Sequence, residues 1–190
     1  MRGNLSYIIF KDEQLSKIGN TALYMAERIK FLSKTKLLKL FYILDEFSTK
    51  KGGIPFVNLT YKVWKFGPVS EELFIDLSSG APVLMRDFIK KDDNDYIIPN
   101  ARFNDDEFSD NDIELLDYVV AEFGNKDSNE LIKYTHRENS LWHNAAKENG
   151  VLDLLEAEVL SNTEYVIDLS LLVEHDPIKS EIYRNYLESC

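Results

Sequence analysis

The chain has 190 residues and a mass of 22.0 kDa, enough for one ordinary domain that buries a core without metals or disulfides. Hydrophobic residues make up 44%, aromatic residues 12% and charged residues 29%, which excludes a disordered chain. Apolar runs are broken by Lys, Asp or Glu well before ~18 residues, which excludes a transmembrane helix. The single cysteine is the terminal Cys190, so no internal disulfide framework is possible.

Charge is unevenly spread. Residues 1–65 hold 12 Lys+Arg against 5 Asp+Glu, and residues 66–190 hold 10 against 28, for a total of −11. Nucleic acid is an unfavourable partner for such a chain, because phosphate contacts need clustered cations. The acidic part suits a basic partner and faster docking. It serves equally as a solvated surface. The opening MRGNLSYIIFKDEQ has a short apolar stretch and no small-residue cleavage site. No signal peptide is read, and the expected location is cytoplasmic.

Along the chain, Tyr7–Phe10 fits a short strand or a helix start. From Asn20 the pattern turns helical, with Ala22, Met25, Ala26 and Ile29 on one face. Ser33 or Thr35 is placed to cap a helix over Lys34–Thr49, where Leu37, Leu40, Phe41 and Leu44 form a stripe widened by Leu38, Ile43 and Phe47. Lys36 and Lys39 are expected at its wet edge. Lys34, Lys50 and Lys51 join them as a solvated rim. Gly52, Gly53 and Pro55 stop the helix.

Val57, Leu59, Tyr61 and Val63 alternate with polar residues and predict a strand without an obvious partner. Gly67-Pro68 predicts a turn. Ser70, with Glu71 and Glu72 behind it, predicts a helix ended by Gly80. Met85–Lys91 and Tyr96–Pro99 around Asp92–Asp95 predict a β-hairpin. Ser109 with Asp112, then Asp127 with Glu130, mark two capped helix starts. The first carries the stripe Ile113, Leu116, Val120 and Phe123 and ends at Gly124. The second covers Ser128–Thr135. Ser140–Asn149 is another helical stretch, Val151–Leu160 an apolar one, and Asp176-Pro177 opens a last helix to about Glu188. The fold class expected is mainly α: one helical domain with a small β-hairpin or short strand.

No phosphate loop, dinucleotide fingerprint, zinc-protease helix or serine elbow is present. Asp92–Asp95 fails as a Ca²⁺ loop, with no Gly at the sixth loop position and no Glu at the twelfth. His136, His143 and His175 lack a closely spaced Cys/His partner, so neither a metal nor another cofactor is expected. His136 closes a predicted helix, where its imidazole is read as satisfying local backbone groups.

Three blocks carry a family resemblance. They are KLLKLFYILDEF (36–47) with GGIPF (52–56), YKVWKFGPVSEELF (61–74), and ELIKYTHRENSLWHNA (130–145). Together they resemble the Panacea domain, the former DUF4065 group of SocA-like antitoxins, which includes phage-encoded members. The matching positions are Lys36, Leu37, Lys39, Leu40, Tyr42, Gly53, Pro55, Trp64, Gly67, Pro68, Val69, Leu131, Thr135, His136 and Trp142. Lys65 and Phe66 lie inside the second block. The resemblance spans about 20–147. It departs at Val63, where Ala is more usual, and at Asp45-Glu46. Residues 1–19 read as an N-terminal extension, 20–150 as the Panacea-like helical domain, and 151–190 as a helical extension packed on it.

The resemblance implies an antitoxin that binds a cognate toxin encoded by an adjacent gene. It implies no catalytic activity. It also allows an adaptor that delivers a partner to an ATP-dependent protease. The shared residues read as mostly structural, with partner binding a second role. Trp64 and Trp142 are expected in the core, and Phe66, between Lys65 and the turn, is the residue expected to stand exposed. Two other readings make distinct demands. A hydrolase with a dispersed site near His136 needs a cleft holding it beside a carboxylate or Ser. A DNA-binding regulator needs the cations of 1–65 on one face.

Overall fold

The computed structural model describes residues 10–79 and 82–189. The readings at Tyr7–Ile9, Gly80 and Cys190 lie outside the described residues. Eight α-helices and two small two-stranded antiparallel sheets are found among the described residues, and the fold is mainly α, as expected.

Helix α1 spans Asp12–Arg28, with Asp12 and Glu13 in its first turn where the helix dipole favours anions. It begins at Asp12 and not at Asn20: Leu15 and Ile18 carry the Ala22–Met25 stripe back toward its start, and Ile18 is fully buried. Its first turns are fixed by distant partners. Gln14 Nε2 donates to the Val57 carbonyl at 3.0 Å, and Lys17 pairs with Asp112 at 3.3 Å.

Helix α2 spans Lys34–Gly52. Ser33 caps it by accepting from Lys36 N, and Gly53, at φ 77°, turns the chain out of it. Buried residues occur all around this helix, and it packs against elements from both the middle and the end of the chain. It is the axis of the molecule. The wet edge expected at Lys36 and Lys39 is absent: they are 6% and 1% exposed.

The stretch 57–61 is irregular where a strand was expected. Strand β1 is only Lys62–Trp64, and it pairs with β2, Gly67–Val69, in the register Lys62↔Val69, Val63↔Pro68 and Trp64↔Gly67. The turn therefore falls at Lys65-Phe66, and Gly67-Pro68 opens the return strand. On the other edge of β1, Val63 N donates to Tyr165 O and Ile167 N to Tyr61 O.

Helix α3 is Glu71–Ser78, and the predicted hairpin is present as β3, Ile89–Lys91, against β4, Ile97–Pro99. Helices α4, Asp110–Phe123, and α5, Ser128–Thr135, each start with the expected capping box. The buried face of α4 is Leu115, Leu116, Val119 and Phe123, so Ile113 and Val120 sit at its margin. Helices α6 (Leu141–Glu148), α7 (Leu152–Glu156) and α8 (Pro177–Ser189) follow, with a short 3₁₀ turn at Leu169–Leu172. The 3₁₀ turn and α8 pack on α2.

Candidate functional site

Asp45 holds the irregular stretch before β1. Its fully buried carboxylate accepts from Val57 N (2.7 Å), Asn58 N (3.2 Å), Leu59 N (3.1 Å) and Tyr61 Oη (2.7 Å). Burial pushes its pKa up against the pull of these donors. An acid inside an otherwise apolar helix face is the sequence signal for such an anchor. Tyr61 in turn stands edge-on to Tyr42, with centroids 5.1 Å apart.

Lys36 and Lys39 are buried because each meets a carbonyl that local periodicity does not reveal. Lys36 Nζ donates to the Gly124 carbonyl at the end of α4, and burial lowers its pKa against the opposing charges of Asp127 and Glu130. Lys39 Nζ donates to the Pro68 carbonyl at 2.8 Å, its one hydrogen-bond partner among the described residues. Burial draws its pKa down to about 7. Gly67 lies above this lysine at φ 96°. A Cβ there would sit 2.7 Å from Thr135 Oγ1 and 3.1 Å from Lys39 Cε, so only glycine lets β2 lie this low.

Block three closes the cluster. Thr135 Oγ1 donates to Ile132 O, and Ser140 Oγ donates to Thr135 O. His136 stacks on Trp142, and Trp142 Nε1 donates to the Trp64 carbonyl at 2.9 Å. Burial, then the charge of Lys39, draws the His136 pKa down to about 4. Its Nε2 is buried without a hydrogen-bond partner among the described residues, so the expectation that the imidazole serves local backbone groups fails at that nitrogen. Arg137, next in sequence, reaches Glu46 on α2 at 2.6 Å.

The three blocks thus converge. Lys39, Gly67, Pro68, Val69, Thr135, His136 and Trp142 form the base of the β1–β2 hairpin. Tyr42 is buried beside it, and its hydroxyl has no hydrogen-bond partner among the described residues. Lys36 serves the α4 end instead. Trp142 is 1% exposed, whereas Trp64 is only half-buried. Its position on β1 faces outward, edge-on to Phe74, with its N–H held by Thr163 O. Phe66, at the turn, is 55% exposed, with Lys65 Nζ 4.7 Å from its ring centre. A cleft of about 60 Å³ opens beside it, lined by Trp64, Phe66, Phe74, Leu38 and Lys39 among others. The blocks named Trp64 and Phe66. Phe74 lies at the end of the second block and Lys34 outside the blocks, and their roles appear only once α3 is folded against the hairpin.

The family model described as antitoxin SocA-like, Panacea domain, matches residues 37–143. The chain belongs to this family. No curated protein and no solved structure matches the chain. The matched span runs from α2 to α6 and contains the whole hairpin and its base. Membership in the SocA-like Panacea family supports an antitoxin role and, in general, a toxin partner. It also suggests a non-enzymatic role. Among the described residues no group of three His, Cys, Asp or Glu is placed to hold a metal ion, and no helix is long and apolar enough to cross a membrane.

Proposed function

We propose that this Panacea-domain protein neutralises a cognate toxin in the cytoplasm by direct protein–protein contact centred on the Lys65-Phe66 turn. The observation that carries the reading is Phe66 itself. It is an exposed aromatic residue on a two-residue turn whose base is held by hydrogen bonds from Lys39 and Trp142. Interface energy concentrates in a few anchors of this kind, and a rigid mount lowers the ordering cost of binding. About 800 Å² per partner would make a stable interface. The acidic surface of residues 66–190 would speed the approach of a partner with basic regions. A non-catalytic role fits the surroundings of His136, where an indole and a lysine stand in place of a carboxylate or hydroxyl partner.

The test is co-expression with the product of the adjacent gene. That product is expected to arrest growth alone and to be tolerated with this chain. A harmless neighbour, with no other toxin rescued, overturns the reading.

A second reading, delivery of the toxin to an ATP-dependent protease, is favoured by one observation. Helix α8 exposes Ile178 and Ile182, one turn apart on the same face, a second apolar patch. A shortened toxin half-life in the presence of this chain would select delivery over sequestration.

A further inference from the structure

The cleft beside Phe66 has a chemistry that the antitoxin reading does not use. Its volume is about 60 Å³, room for the end of a side chain. Its walls are Trp64, Phe66 and Phe74, with Leu38 and Val69 behind them and Lys39 as part of the lining.

Three aromatic walls would ordinarily suit a cation. Here the protein's own lysines already stand on them. Lys34 Nζ is 4.3 Å from the centre of the Phe74 ring, and Lys65 Nζ is 4.7 Å from that of Phe66. A further cation would meet repulsion from both. Glu158 pairs with Lys65 at 3.1 Å but is itself 71% exposed. With one partner this exposed, the pair exchanges readily. Lys34 spends one donor on Ser78 Oγ, and Lys39 spends one on Pro68 O. An ammonium group has three N–H donors, so Lys34 keeps donors to offer.

We infer that this cleft receives an Asp or Glu side chain of the toxin, its stem between Trp64, Phe66 and Phe74 and its carboxylate against Lys34 and Lys65, which stand on two of those rings. The inference rests on the toxin-binding reading and specifies its contact. It also runs against the overall sign of the molecule: an acidic protein takes an acidic anchor at one basic spot.

Zero-length carbodiimide cross-linking of the full chain with the adjacent gene's product, followed by mass spectrometry, tests this. The reagent joins a lysine amine to a carboxylate in contact with it. Amide links from Lys34 or Lys65 to a toxin Asp or Glu are expected. The double variant Lys34→Gln, Lys65→Gln is expected to bind roughly tenfold more weakly or worse, with its unfolding midpoint measured alongside to separate lost contact from lost fold. A complex whose links run only from this chain's carboxylates to toxin lysines overturns the inference. So does wild-type affinity in the double variant. Either result leaves the toxin-binding reading standing. Absence of any complex removes that reading and the inference with it.

Discussion

The imidazole of His136 lies flat on the indole of Trp142, with ring centroids 3.6 Å apart and planes 2° from parallel. Burial and the nearby Lys39 charge hold its pKa at about 4, against 6.5 for a free histidine. The unfolded chain therefore takes up a proton near pH 6.5 that the folded chain resists until about pH 4. Stability is expected to fall as pH drops through that window. His136→Phe keeps the stack and removes the titration, so denaturant unfolding at about pH 7 and about pH 5 should show a smaller acid loss than in the parent. Lys39→Met should raise the imidazole pKa, as read by NMR titration. An unchanged pH dependence in His136→Phe would mean that other groups control the acid response.

Gly67→Ala is expected to destabilise by roughly 2 kcal/mol or more. The left-handed backbone at φ 96° and the 2.7 Å approach to Thr135 Oγ1 act together. Gly150, at φ 67° with open space around its Cβ position, is the control. Gly150→Ala carries the backbone strain alone and should cost less in the same denaturation experiment.

Asp45→Asn replaces one acceptor oxygen by a donor amide, facing three backbone N–H groups and the Tyr61 hydroxyl. The expected loss is about 2–4 kcal/mol. Hydrogen exchange should show faster opening of residues 57–61 than of α2. A loss below about 0.5 kcal/mol would mean that this stretch is held by packing alone.

Thr163 stitches the tail to the hairpin. Its hydroxyl donates to Val63 O at 2.7 Å, and its carbonyl accepts from Trp64 Nε1 at 3.2 Å. Thr163→Val removes the first bond and the one its hydroxyl accepts from Tyr165 N at 3.2 Å, and is expected to cost about 1–2 kcal/mol. It should also reduce the protection of the Val63 amide, which donates to Tyr165 O. Full protection of that amide would show that the tail segment holds without the hydroxyl.

Legibility followed the range of the forces. The capping boxes at Ser109/Asp112 and Asp127/Glu130 involve atoms a few residues apart, and they were readable from the chain. So were the Gly53 stop, the β3–β4 hairpin and the last helix. The lysines were not. Lys36 and Lys39 look like a polar edge because helical periodicity weighs residue type alone. Their burial depends on the carbonyls of Gly124 and Pro68, which only the fold delivers. The alternation at 57–63 suggested a strand because its apolar residues do point inward. Asp45 takes the amides that a strand partner would have used. At the candidate site, the blocks named most of the residues of the hairpin and its base. Their convergence, the His136–Trp142 stack and the contribution of Phe74 required the folded chain.

Isothermal titration of the adjacent gene's product into the wild-type chain and into Phe66→Ala tests toxin capture at the hairpin most directly. Phe66 is 55% exposed, so the variant should match the wild-type unfolding free energy within about 0.5 kcal/mol. Its binding should nevertheless be weaker by roughly tenfold or more. A variant that folds equally well and binds with wild-type affinity would contradict the account.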